Sequence, residues 1–215
     1  MEHIVNKFKL ILREENKYQN LVSRKSFAYE LDKHIEDSLK LLEFIPLDNE
    51  DLVDIGSGAG FPGLILAIAC PLTRVTLVES DHKKCNFLKK VKQELALDNV
   101  NVICQRAEVL GQDNSTREKF TVCSSRAVAS MNILLEYGLP LLKLGGRLLL
   151  WKGRNFRQEI EQAQNAMKVL GGSLGQVWLY SLMEDRDRAI IEVRKQQETP
   201  RKYPRRVGIP SKRPL

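Results

Sequence analysis

The segment Asp54-Ile55-Gly56-Ser57-Gly58-Ala59-Gly60-Phe61-Pro62-Gly63 constrains the fold of this 215-residue chain more than any other. It follows a short apolar run, 52–55, and leads into a helical run, 63–69. Closely spaced glycines between a strand and a helix let the backbone adopt positive φ and approach a ligand. Such a turn belongs to open α/β sheets, which bind ligands beyond the carboxyl ends of their strands.

The rest of the chain repeats that alternation. Apolar runs at 52–55, 74–79, 100–104, 120–124, 146–151, 173–182 and 189–194 read as strands. Helical spacing falls between them at 63–69, 83–95, 131–137 and 156–170. Alternating strands and helices predict a parallel sheet covered on both faces. The last two strands are separated only by the polar loop 183–188, which suits an antiparallel hairpin. Five parallel strand–helix units ending in a hairpin form the Rossmann-like pattern of Class I methyltransferases. Before it, positions 7–45 carry helical spacing through Phe8, Ile11, Leu12, Leu21, Leu31, Ile35, Leu39 and Leu42, which Pro46 ends. We therefore expect a helical extension over 1–47, a ligand-binding α/β domain over 48–195 and a tail over 196–215.

Charge sharpens the division. The net +7 resides in residues 194–215, which hold eight Lys or Arg against the single acid Glu198. A basic tail on a neutral body reads as an arm for a polyanion, nucleic acid first. Pro200, Pro204, Pro210 and Pro214 favour an extended form for it. Arg201, Tyr203, Arg205 and Arg206 are its candidate RNA contacts. No apolar run reaches the ~20 residues of a membrane span, and no export signal is visible, so a cytoplasmic monomer is expected. Cys70, Cys85, Cys104 and Cys123 form no CxxC pair and have no histidine at metal-ligand spacing. Neither a disulfide nor a metal site is expected from them.

The glycine spacing bears on the ligand. In a dinucleotide fingerprint, counted from Gly56, the third glycine would stand where Phe61 does. The G-x-G-x-G form, with Asp54 two residues ahead, resembles the S-adenosylmethionine loop, which meets an amino-acid moiety and adenosine rather than a pyrophosphate. Glu79 ends the second strand, where an acid hydrogen-bonds ribose hydroxyls. Asp54, Gly56, Gly58 and Glu79 are thus candidate cofactor residues. A nicotinamide enzyme would need a substrate domain for which no chain remains.

Three further segments lie at strand carboxyl ends: Arg106-Ala107-Glu108, Ser124-Ser125-Arg126-Ala127, and Trp151-Lys152-Gly153. Together with Asn16-Lys17-Tyr18-Gln19-Asn20-Leu21, His34-Ile35-Glu36-Asp37-Ser38, the Phe-Pro-Gly end of the glycine loop and Tyr203-Pro204-Arg205-Arg206-x-Gly208-x-Pro210, they carry a resemblance. From about Asn16 to the C-terminus the chain resembles the RsmG (GidB) family of small-subunit ribosomal RNA methyltransferases. The resemblance implies methylation of guanine N7 at position 527 of 16S rRNA by S-adenosylmethionine. It places Gly56, Phe61, Ala107, Glu108 and Arg126 at the cofactor, and 16S rRNA, the 30S subunit or an assembly intermediate as partner.

Guanine N7 has a free lone pair at neutral pH, so this chemistry needs no general base and rests on positioning. Arg126 is expected to act in that sense. Asp37 reads either as an acid that favours the cationic product or as an exposed helix carboxylate. Asn20, His34 and Lys152 are further candidate RNA contacts, His34 equally readable as structural. Two other readings remain open from sequence: a nucleotide-dependent oxidoreductase, and a non-catalytic rRNA-binding assembly factor.

Overall fold

The computed structural model describes residues 1–22, 27–182 and 187–215. Its centre is a seven-stranded sheet: β1 (Asp51–Ile55), β2 (Arg74–Glu79), β3 (Val100–Cys104), β4 (Phe120–Arg126), β5 (Leu142–Lys152), β6 (Gly172–Ser181) and β7 (Asp187–Lys195). The strand order is β3-β2-β1-β4-β5-β7-β6. The first five are parallel, while β7 pairs antiparallel with both β5 and β6, as expected of the hairpin. Of the polar loop expected at 183–188, residues 183–186 lie outside the described residues.

Helices cover both faces because a parallel sheet is apolar on both. On one face lie α1 (Glu2–Glu15), α2 (Phe27–Leu39), α3 (Gly63–Ala69) and α4 (His82–Glu94). Phe8, Leu12, Leu31, Ile35, Leu64 and Phe87 share one core there with Leu52, Leu149 and Trp151. On the other lie α5 (Ala107–Gln112), α6 (Met131–Gly138), α7 (Phe156–Gln162) and α8 (Gln164–Leu170), over Val53, Ile55, Leu148 and Leu150. The alternation Leu148, Leu149, Leu150, Trp151 between the two cores is the two-residue period of a strand with both faces buried.

Several local expectations change. The 7–45 pattern is two helices with a turn between them. In that turn the buried Asn16 accepts from the Leu21 and Val22 amides at 2.9 and 3.0 Å and donates to the Val22 carbonyl. The run 156–170 breaks at Ala163 into α7 and α8, although no Gly or Pro marks it. Strand β5 starts at Leu142, because Gly145 and Gly146 sit within the strand beside a register shift at Phe120/Val122 and do not form a turn. Cys85 on α4 and Cys104 at the end of β3 pair as a disulfide, with Cα atoms 5.8 Å apart, against the expectation of none. Parallel pairing of β2 with β3 brings them together, which their 19-residue separation does not reveal.

The largest correction concerns the tail, which is no extended arm. It folds back across the α5–α6 face and ends in α9 (Ile209–Lys212). Tyr203 and Pro204 are buried, and Arg117 donates to the carbonyls of Thr199 and Tyr203 at 2.6 and 2.7 Å. Arg205 grips buried Glu136 through Nε and Nη2, at 2.9 and 2.6 Å. The Lys195 ammonium is fully buried against Glu118 and the Leu142 carbonyl. Tyr203 and Arg205 therefore seat the tail on the body, Tyr203 buried and Arg205 paired with Glu136, rather than standing on a free arm. Arg201 and Arg206 remain exposed.

Candidate active site

The sheet order reverses between β1 and β4, so the connections leaving these two strands diverge and open a crevice at their carboxyl ends. A two-lobed cleft occupies that place. Both lobes share Gly56, Glu79, Ser80 and Val128. The inner slot is completed by Ile55, Val78, Arg106, Ala107, Glu108 and Tyr137. The outer lobe, about 410 Å³, is lined by Leu21, Val22, His34, Gly58, Phe61, Lys84, Arg126 and Ala127. That volume suits a small-molecule or single-base ligand.

Glu79 fixes the floor. Its Oε2 accepts from the Gly58 amide at 3.0 Å, and its Oε1 from the amides of Ser80 and Asp81 at 2.7 and 2.9 Å. Engagement of the Gly58 amide by a carboxylate leaves it closed to a pyrophosphate. Gly58 itself has φ +54°, and a Cβ there would point into open space, with only the Gly56 carbonyl near it at 3.8 Å.

Glu108 stands at the start of α5. Its Oε1 accepts from the Gly208 amide at 3.0 Å, whereas its buried Oε2 has no hydrogen-bond partner among the described residues. Burial acts to push this carboxyl up, but the Gly208 amide and the Arg106 guanidinium outweigh it and hold it below its ordinary value. A buried, ionised acceptor whose Oε2 has only a 3.4 Å ion pair with the Arg106 Nε, in a slot walled by Ile55, Val78 and Val128, suits a ligand with an apolar planar body and an N–H donor. Adenosine has that chemistry, with ribose hydroxyls for Glu79.

Above the outer lobe, α2 is fastened to three strand ends. Asp37, 3% exposed, receives the Arg126 guanidinium on Oδ2 at 2.7 Å and the Tyr180 hydroxyl on Oδ1 at 2.6 Å. The Asp37 carbonyl accepts from the Trp151 indole at 2.8 Å, and the His34 carbonyl from Arg126 at 3.2 Å. The Arg126 guanidinium lies 5.1 Å from the Phe61 ring centre, and the His34 ring packs on the same phenyl at 5.3 Å. Arg126 is followed by Ala127 at φ +57°, a left-handed turn that a small side chain tolerates at modest cost. Burial, then the positive charge of Arg126, drives the His34 imidazole down to about 4, so it is neutral at neutral pH. Burial, and then the Asp37 charge, pushes the Tyr180 phenol above its ordinary value, so it stays a donor.

The structure thus gathers Gly56, Gly58, Phe61, Glu79, Ala107, Glu108, Arg126 and His34 around one cleft. Besides the four tail candidates, three predicted residues lie elsewhere. Asp54 is fully buried beneath the loop, where its Oδ1 takes the Ser124 hydroxyl at 2.7 Å, so it supports the loop and touches neither lobe. Lys152 is buried in an ion pair with Glu159 at 2.7 Å and donates to the Ala129 carbonyl, facing away from any polyanion. Asn20 is exposed just ahead of the cleft-lining Leu21. Asp37 is neither an exposed helix carboxylate nor a free acid, since Arg126 and Tyr180 occupy both its oxygens. Sequence reasoning missed Tyr180, Trp151 and Lys84. Tyr180 was legible only once β6 was known to run parallel to β5, which puts its end on the ligand edge. Among the described residues no group of three or more His, Cys, Asp or Glu could hold a metal ion.

The family model for rRNA small subunit methyltransferase G (GidB) matches residues 1–188. A ribosomal RNA small subunit methyltransferase G of Syntrophomonas wolfei is 58% identical over 215 residues, covering all of both chains. Its counterpart in Caldicellulosiruptor bescii is 41% identical over 220 residues, covering all of this chain and 92% of its own. A crystal structure of M. jannaschii TYW2 in complex with AdoMet shares the fold at a TM-score of 0.61, with 17% identity over 76% of each chain. With the family match spanning both the helical layer and the glycine-loop cleft, this chain belongs to the rRNA small subunit methyltransferase G (GidB) family.

Proposed function

We propose that this chain transfers the methyl group of S-adenosylmethionine to N7 of a guanine in 16S rRNA, position 527, with the 30S subunit or its precursor as the working substrate. One observation carries the choice of acceptor: among the described residues, no carboxylate or imidazole that faces or walls the outer lobe is placed to act as a base. Asp37 is held by Arg126 and Tyr180, Glu79 by three amides, and His34 has little affinity for a proton at neutral pH. An acceptor in this lobe must bring its own lone pair, and guanine N7 does.

S-adenosylmethionine supplies an electrophilic methyl on sulfonium when bound. The chain's part is to hold and orient. Glu79 and Glu108, which line the inner slot, would accept from the cofactor's ribose hydroxyls and adenine amine. The loop Gly56–Gly58 would let the backbone lie against its amino-acid end, and Phe61 with Val128 would keep water from its methyl. Arg126, fixed by Asp37, holds the wall against which the base is set. Because N7 lies on the deep major-groove edge of A-form RNA, the target base must enter the lobe unpaired or flipped. Among the described residues no helix is long and apolar enough to cross a membrane, and a cytoplasmic enzyme working as a monomer suits a ribosomal substrate.

Incubation with methyl-labelled S-adenosylmethionine and unmethylated 30S subunits or naked 16S rRNA, followed by nucleoside analysis, tests the reading. Label in 7-methylguanosine is expected. Label in another nucleoside, or in none, overturns it.

A further inference from the structure

We propose that the face built by α4 and the turn after α1 is the surface along which the ribosomal RNA lies, with Tyr18 as a stacking platform for an unpaired base. The inference rests on the rRNA reading above. It begins from the tail, which does not hold all of the chain's accessible positive charge: Arg194, Lys195 and Arg205 are paired within the body and Tyr203 is buried, while Arg201, Lys202, Arg206, Lys212 and Arg213 stay exposed. A second basic surface lies on the opposite face of the sheet, beside the cleft.

Helix α4, HKKCNFLKKVKQE, carries five lysines against the single acid Glu94. Cys85, Phe87, Leu88 and Val91 turn to the core, which leaves Lys83, Asn86, Lys89 and Lys90 exposed. Beside them Tyr18 is 83% exposed. A groove of about 370 Å³ runs between the two elements, lined by Glu15, Tyr18, Gln19, Lys83, Asn86 and Lys90. The acids nearby are already engaged. Glu15 takes the Lys90 ammonium at 3.1 Å and the Gln19 amide at 2.9 Å, and Asp81 caps α4 through the amides of Lys83 and Lys84.

The turn holds Tyr18 in place. Its amide donates to the Glu15 carbonyl, and Asn16 fastens the chain on the far side at Leu21 and Val22. This accounts for the Asn16–Leu21 motif, which the cofactor cleft alone does not use. The face is also continuous with the cleft, since Ser80 and Lys84 line the outer lobe while Lys83 lines the groove. An aromatic ring set among ammonium groups, beside an asparagine, is the chemistry that binds single-stranded nucleic acid by stacking and phosphate contact. A lipid surface would call for several exposed apolar side chains here, and the groove has Tyr18 alone with buried Phe87.

The test titrates a 16S rRNA fragment and 30S subunits at several salt concentrations against the full chain, Tyr18→Ala and the double variant Lys83→Ala/Lys89→Ala. The double variant should flatten the slope of log affinity against log salt by about 1.5, at roughly 0.7–0.9 per phosphate contact. Tyr18→Ala should weaken binding by about tenfold. Affinity for S-adenosylhomocysteine and the melting temperature should match the parent in both. Parental slope and affinity in the variants overturn the proposal. Weakened 30S binding with unchanged binding of the rRNA fragment also overturns it, because a ribosomal protein would then occupy the face. A parent chain that binds neither RNA nor 30S particles overturns the rRNA reading itself, which separates the two failures.

Discussion

Asp54 shows how far burial alters a single side chain. Sealed under the glycine loop with one oxygen unpartnered among the described residues, its carboxyl is pushed up to about 6, mainly by burial. The folded chain then binds this proton more tightly than the unfolded chain does. The resulting stabilisation is full below about pH 4 and is lost as pH rises through about 6. Asp54→Asn should remove that slope, and the difference between the parent and variant pH–stability curves between pH 4 and 6 checks it. The difference matters, because carboxyls held below their ordinary values, such as Glu108 and Asp113, slope the other way. The oxygen left over abuts Gly63, where any Cβ would overlap the Asp54 carboxyl. Gly58 has the opposite setting, with open space in the cleft. Gly58→Val should abolish binding of S-adenosylhomocysteine in calorimetry while the chain stays folded, at a cost of roughly 1–2 kcal/mol for a side chain at φ +54°.

Among the elements, the C-terminal segment departs most from its composition. Its prolines exclude a long helix, as expected, but Arg205 finds the buried Glu136 on α6, and Lys195 at its start finds Glu118 and the Leu142 carbonyl. Arg205→Ala would leave Glu136, 0% exposed, without its cation. Loss of about 3 kcal/mol in urea unfolding is expected, since removing one partner strands the other charge. An exposed arm would show no change. By the same logic, truncation after Arg194 should cost stability before it affects the salt dependence of RNA binding. The Gly208 amide on Glu108 also couples this segment to the cofactor slot.

Across the whole molecule, the network at Asp37 joins the N-terminal helical layer to the sheet. One carboxylate and two carbonyls on α2 take donors from the ends of β4, β5 and β6, and Arg126 carries that restraint to Phe61. Tyr180→Phe removes one donor from Asp37 and leaves the Arg126 pair. It should lower kcat several-fold with KM for S-adenosylmethionine unchanged, and reduce stability by about 1.5 kcal/mol, the scale of a hydrogen bond to a charged group. Steady-state kinetics on 30S subunits with thermal melts separates the two effects. A loss of stability with unchanged kcat would make the network structural only.

What the sequence determined by itself were the features written in local periodicity: the strand–helix alternation, the parallel sheet with its final hairpin, and the glycine loop with the acid at the end of the next strand. Each is fixed by neighbours within a few positions, so spacing alone reveals it. Only the tertiary structure decided which charges are free. Lys152, Lys195 and Arg205 look like solvated cations in sequence, and each meets a carboxylate supplied by a different element. The same holds for Asp54, hidden by Gly63 and Ser124, and for Tyr180, 143 residues from the Asp37 it binds. The disulfide from Cys85 to Cys104 likewise depends on which strands are neighbours. Burial and ion pairing are properties of positions in space, set when the sheet order brings distant segments together, and no local pattern in the chain encodes them.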